Sequence, residues 1–228
     1  MHIPDGYLSP QTYVPFYAVI IPYLGFAARK VSKSIRSRQV PLLALGAAFS
    51  FVIMMFNVPI PGGTTGHAVG GVIVAILLGP WAASIAVSIA LIVQALLFGD
   101  GGITAIGANC FNMGVVIPFV GYYVYQLISG NSAISSARRW VAGAVAGYVG
   151  LNVAAVIAGI EFGIQPLIAH AQDGHPLYAP YSLSVAVPAM AIEHLILFGL
   201  VEALVTALII KYLQKADPDL LAAYGGAK

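Results

Sequence analysis

The chain has 228 residues, 60% of them hydrophobic and only 8% charged, with a net charge of +2, and its mean hydropathy is +0.91. Soluble domains carry about 25% charged residues, so a water-soluble globular class is excluded and an integral membrane protein is indicated. No basic patch interleaved with aromatics suggests nucleic acid, and the single cysteine, Cys110, excludes an intrachain disulfide.

The chain opens MHIPDGYLSP. Trimming of an initiator methionine favours a small second residue, so Met1 is expected to be retained with its amine free. Pro4 and the Asp5-Gly6 pair read as a turn, and residues 1–6, which reach about 20 Å when extended, form a tip able to fold back between helices. The following apolar stretch is not a signal peptide, because its positive charges come after it rather than before it. It predicts a first membrane helix over Tyr7–Ala28.

Further helices are expected over Val40–Ile60, His67–Pro80, Trp81–Phe98, Ile103–Ile128, Val141–Ile164 and Val187–Leu213. Such long apolar runs suit helices, whereas barrel strands alternate over short segments. The fold class is therefore all-α, a single polytopic transmembrane domain of about seven helices. His67–Pro80 is short for a full crossing and reads as re-entrant or broken. All lysines and arginines fall in four places: Arg29, Lys30, Lys33, Arg36 and Arg38 in a basic loop at 29–39; Arg138 and Arg139; Lys211 and Lys215; and Lys228 in a tail at 214–228. By the positive-inside rule these face the cytoplasm, which places the amino terminus outside and the carboxyl terminus inside.

Two stretches carry candidate chemistry. In NVPIPGGTTGHAVGG the Pro- and Gly-rich loop 61–67 breaks the chain on the outer side, and His67 is expected to begin the next helix, whose dipole keeps the imidazole neutral. A histidine at membrane depth is a functional candidate, although one that merely caps the helix or bonds the glycine loop fits the same pattern. At the amino terminus, the Met1 amine, the deprotonated His2 amide and the His2 imidazole supply three nitrogens in fused chelate rings, and His67 can supply a fourth. Four nitrogens in a plane suit Ni(II) or Cu(II) rather than zinc or magnesium. Taken alone, the pair Met-His also arises by chance.

Asp100 is placed in an outer loop. Asn109, Asn112, Glu161, Glu193, His194 and Glu202 lie in apolar segments, where structural pairing or a pathway would explain them. Glu193 and His194 are adjacent and cannot form a Glu-x-x-His metal site. His170 and His175 read as solvated loop residues. No zincin, nucleophile-elbow or P-loop motif occurs, so the chain is expected not to be an enzyme and not to bind ATP itself.

The stretches MHIPDGYLSP, ALGAAFSFVIMMFNVPIPGGTTGHAVGG, QALLFGDGGITAIGANCFNMGVVIPFVG and EHLILFGLVEALVTALI resemble, in order, the CbiM/NikM family of substrate-binding components of energy-coupling-factor importers. The resemblance implies capture of Ni(II), or Co(II), as transported substrate with no organic cofactor, by Met1, His2 and His67. It also implies a prokaryotic plasma membrane, a transmembrane coupling protein, ABC-type ATPase subunits and a small auxiliary membrane subunit as partners. The loop preceding His67 looks more like the nickel branch. Ala44 and Ala48 offer a small-residue face for a neighbouring helix, inside or outside the subunit. The competing readings are a proton-coupled secondary transporter using Glu193, His194 and Glu202, and a receptor that binds metal without moving it.

Overall fold

The computed structural model describes residues 1–35 and 37–222, so the expected cytoplasmic positions Arg36 and Lys228 lie outside the described residues, as does the side chain of Arg38. Helices dominate in chain order: α1 (Pro10–Ser34), α2 (Val40–Met54), α3 (Gly71–Leu78), α4 (Pro80–Val93), α5 (Ile106–Asn109), α6 (Ile117–Ser129), α7 (Ala137–Gly163), α8 (Gln165–Ile168), α9 (Leu183–Glu193), α10 (Gly199–Ala216) and α11 (Pro218–Ala222). Three π-helical stretches continue these without a break: Gln94–Phe98 after α4, Cys110–Val116 between α5 and α6, and His194–Phe198 between α9 and α10.

Five of the resulting rods, Pro10–Ser34, Pro80–Phe98, Ile106–Ser129, Ala137–Ile168 and Leu183–Ala216, are long and apolar enough to cross a bilayer, and α2 is a shorter apolar helix of 15 residues. Their outward faces carry large bare hydrophobics such as Ile21, Leu45, Leu97, Leu127 and Leu204. Water would not tolerate such a surface, whereas lipid does. Each of the seven expected stretches contains a helix, but two are shorter than expected. The second stops at Met54 rather than Ile60, because Pro59 and Pro61 cannot continue it.

The third stretch departs most. It was expected as re-entrant or broken, and the loop ahead of it holds the one small sheet among the described residues: β1 (Val58–Pro59), in the end of the second expected stretch, pairs antiparallel with β2 (Thr65–Gly66), in register Val58 with Gly66 and Pro59 with Thr65. The hairpin folds back, and the chain runs without regular structure through His67 before α3 begins at Gly71. Gly70 adopts φ +71° and so blocks an earlier helix start. Eight helical residues rise about 12 Å, less than half of a bilayer core. This is a broken segment whose irregular half is buried in protein, the condition under which non-helical backbone survives at membrane depth.

The basic segment 29–39 is less loop than expected, since α1 carries Arg29, Lys30 and Lys33 to Ser34 and only a single 3₁₀ turn, Ser37–Gln39, precedes α2. The tail after 214 is likewise helical to residue 222 except at Asp217, where α10 gives way to α11. Long α7 forms the spine. Its Gly147 lies against the Glu202 and Thr206 positions of α10, Gly150 against the Ile117 carbonyl of α6, and Gly159 against the Ala186 carbonyl of α9, so backbones approach where a side chain would intrude. Ala44 and Ala48 are exposed on α2, and Ala48 borders a shallow apolar groove with Ile89, Val93 and Phe98.

Candidate metal centre

The amino-terminal tip enters the bundle. Met1 and Ile3 are 0% exposed and His2 is 3% exposed. Ile3 is stitched on both sides of its peptide: its N–H donates to Asn109 Oδ1 at 2.9 Å, and its carbonyl accepts from Asn109 Nδ2 at 3.1 Å and from the Gly102 N–H at 2.9 Å. The Asp5 carboxylate then accepts the Ile103 and Thr104 N–H groups and the Thr104 hydroxyl at 3.1, 2.8 and 2.6 Å. Partial burial works against that carboxylate, yet the bonds from Thr104 and Ile103 outweigh it and hold its pKa below the ordinary value. The turn expected at Asp5-Gly6 forms, with Gly6 at φ +81°.

This stitching sets the amine and the first imidazole. The Met1 amine donates to the Thr65 carbonyl, and to the Thr65 hydroxyl at 3.1 Å, two residues before His67. The rings of His2 and His67 lie with centroids 4.6 Å apart. Gln94 donates its amide to the Phe51 carbonyl at 3.2 Å, which turns its Oε1 toward His2 and makes Nε2, at 3.2 Å, the protonated ring nitrogen. His2 Nδ1, the nitrogen that closes a six-membered chelate ring with the residue's own amide, therefore carries the lone pair. It is buried without a hydrogen-bond partner.

His67 follows the same logic with the nitrogens reversed. Its Nδ1 donates to the Ala68 carbonyl at 3.1 Å, and its Nε2 is buried and unpartnered. The expectation that His67 begins a helix is corrected: it precedes α3 by four residues, and its ring is fixed by burial and the Ala68 bond rather than by a helix dipole. Burial brings the His2 imidazole down to about 3, with the neighbouring amine acting in the same direction and Gln94 opposing. Burial also drives the amine well below its ordinary 8.0, with Asp100 pulling the other way. A docked tip thus favours neutral nitrogens, the form that can ligate.

Glu202 has a structural task. Its carboxylate accepts the Val69 N–H at 2.7 Å and the Gly70 N–H at 2.9 and 3.1 Å, tying α10 to the chain between His67 and α3. Buried N–H groups at the mouth of a half-helix need such an acceptor. Glu161 pairs with Asn112 at 2.7 Å. His194 is buried, its Nδ1 donating to the Met190 carbonyl at 2.7 Å, while Glu193 is half-buried and His170 and His175 are exposed.

Among the described residues no three His, Cys, Asp or Glu side chains form a group able to hold a metal. The convergence here is of two imidazoles with main-chain nitrogen, which a count of side chains does not register. Sequence reasoning missed Gln94, and it left Asn109 without a task. Both were visible as amides inside apolar runs, where a buried polar group demands a partner. Asn109→Ala removes both bonds between Asn109 and Ile3, leaving the Gly102 bond and every candidate ligand. The expected outcome in a Ni(II) titration is an affinity lower by roughly 10–100-fold with an unshifted d–d band.

A family profile described as "Cobalt uptake substrate-specific transmembrane region", CbiM, matches residues 2–220. The fused nickel transport protein NikMN of Rhodobacter capsulatus is 56% identical over 97% of this chain, which spans 64% of that longer protein. A putative metal transport protein of Methanocaldococcus jannaschii is 52% identical over 96% of this chain and 94% of its own length. A crystal structure described as a truncated transition metal transporter superposes with a TM-score of 0.90 at 53% identity, covering 95% of this chain and 99% of that one. With helices of membrane-spanning length, a buried amino-terminal tip and this agreement over nearly its whole length, the chain belongs to the CbiM family and is a multi-pass membrane protein.

Proposed function

We propose that this chain is the substrate-capture subunit of an energy-coupling-factor importer, taking Ni(II) from outside a prokaryotic cell. The ion is held by the Met1 amine, the His2 amide and Nδ1, and His67 Nε2. The observation that carries the reading is the meeting of the two imidazoles, 4.6 Å apart, with an unpartnered buried nitrogen on each and the amine bonded to Thr65 beside them. An all-nitrogen set with no thiolate favours Ni(II) over harder ions, with Co(II) as second substrate. The names of relatives from Rhodobacter capsulatus and Lactiplantibacillus plantarum, both called fused nickel transport proteins, support the same choice.

With no phosphate-binding loop of its own, the chain needs ABC-type ATPase subunits, a transmembrane coupling protein and a small auxiliary membrane subunit. The exposed Ala44 and Ala48 are available to such a neighbour. A proton relay through Glu202 loses support because that carboxylate is engaged by Val69 and Gly70.

The test is a Ni(II) titration of the purified chain followed by d–d absorption at several pH values. Docking and metal binding both exclude protons: the free amine and imidazole titrate near 8 and 6.5, and both are lowered in the docked tip. The stability of the docked tip is therefore present above those values and is lost as the pH falls through and below them. Displacement of the His2 amide proton adds its own dependence at every pH. The expected outcome is a square-planar band and an affinity that falls about tenfold or more per unit between about pH 8 and pH 5. A flat profile over that range would remove the ligand assignment.

A further inference from the structure

The proposed nitrogen set leaves a charge to be balanced. A divalent ion bound by a neutral amine, two neutral imidazoles and one deprotonated amide retains one positive charge, in a site where His67 is fully buried and His2 nearly so. An uncompensated charge in such surroundings is costly. The basic side chains of α1, α7 and α10 belong to the opposite ends of their helices and add nothing here.

Three of the acidic side chains other than Asp100 have partners of their own. Glu202 accepts the Val69 and Gly70 N–H groups, Glu161 pairs with Asn112, and Asp5 is held by Ile103 and Thr104. Asp100 differs. Its Oδ2 accepts from Asn57 Nδ2 at 3.0 Å, and its Oδ1 faces His2 Nδ1 at 3.6 Å.

That contact is unusual because Gln94 has already fixed the tautomer. With Nε2–H donating to Gln94, the nitrogen facing Asp100 bears a lone pair, so an acceptor faces a carboxylate. Two such groups are reconciled by positive charge between them. The chain builds this opposition within one turn: Gln94, at the start of the π-helical stretch, addresses Nε2, and its carbonyl accepts the Asp100 N–H at 3.1 Å, which places Asp100 against Nδ1. The Asp100 side chain is 17% exposed, so it touches both the buried nitrogen and the water outside.

We propose that Asp100 is the counter-charge of the metal site: the carboxylate that draws the divalent ion to the mouth and then neutralises the complex formed on the tip. This rests on the nitrogen site proposed above and adds a group that the amino-terminal motif does not contain. The carboxylate need not replace a nitrogen, because an ion held at His2 Nδ1 lies within a few ångströms of Oδ1, inside the range of an ion pair.

Ni(II) titration and stopped-flow capture of the native chain, Asp100→Asn, Asp100→Glu and Asp100→Ser test this. Asn keeps an oxygen for Asn57 and removes only the charge. The expected result is an affinity about 10–100-fold lower with an unshifted square-planar band. Capture should also be slower and lose its dependence on ionic strength, and Asp100→Glu should recover most of the affinity. Asp100→Ser, smaller and also uncharged, repeats the measurement if the asparagine chain is not recovered. An uncharged variant with native affinity and native salt dependence overturns the proposal while leaving the nitrogen site intact. A native chain that takes up no Ni(II) overturns both.

Discussion

Two alanines placed ahead of Met1 lower Ni(II) affinity by on the order of 10³-fold and abolish the native square-planar band, although every candidate side chain is still present. The extension converts the Met1 amine into an amide and moves the free amine two residues away from its chelate ring. It also has nowhere to go, since Met1 is fully buried with its nitrogen bonded to Thr65. Loss of a supporting partner typically costs 10–100-fold in metal affinity, and loss of a ligand together with its docking exceeds that. Two residues are needed rather than one: a single alanine would place histidine third, where the amine, two amides and the imidazole chelate nickel by themselves without His67. The companion variant His67→Ala leaves the tip's three nitrogens in place and should bind more weakly than the native chain, with a shifted band. Native behaviour from the extended chain would show that the amine is not a ligand, and would return attention to His67 and His194.

The reach of the sequence follows from which features are local. Helices over the apolar runs were legible because length and hydropathy decide them, and the broken third segment with the loop ahead of it was legible in part because Pro59, Pro61, Gly62, Gly63 and Gly66 punctuate that loop. Its hairpin was not legible: a two-residue strand pair has no periodicity, and it exists because the bundle gives its backbone partners. Met1, His2 and His67 stood out as metal-type donors at chain breaks. Their supports did not, because Gln94 meets His2 across 92 residues and Asn109 meets Ile3 across 106, separations that leave no trace in local pattern. The three π-helical stretches were equally silent, yet one carries Gln94, one follows directly on Asn109 and one begins at His194. Such stretches are frequent at functional sites because the extra residue re-aims a side chain. His67 was expected at a helix start because Pro59, Pro61, Gly62, Gly63 and Gly66 were read as the whole of the break before it. Gly70, with its positive φ, delays the helix instead.

Gly102→Ala should nearly eliminate metal binding while leaving the bundle folded, and it separates docking of the tip from the identity of the ligands. A methyl group at Gly102 would stand 2.3 Å from the Asp5 nitrogen, 2.6 Å from the Pro4 carbonyl carbon and 2.8 Å from the Asp5 Cα. These are backbone atoms, which cannot swing aside as the end of a side chain can. The alternative is for the tip to lift away, which forfeits the Gly102 bond to the Ile3 carbonyl and strains the neighbouring Ile103 and Thr104 bonds to Asp5. Gly102 does not sit at positive φ, so alanine is conformationally acceptable there and the clash alone is tested. The expected outcome is an affinity loss of about 100-fold or more with unchanged helical circular dichroism, and a tip newly open to amino-terminal proteolysis. The close approaches of the α7 glycines to α6, α9 and α10 do not involve Gly102, so a protein that instead unfolds would mean that the bundle depends on the docked tip for its fold. Native affinity from this variant would mean that the docked tip is not the metal-binding state.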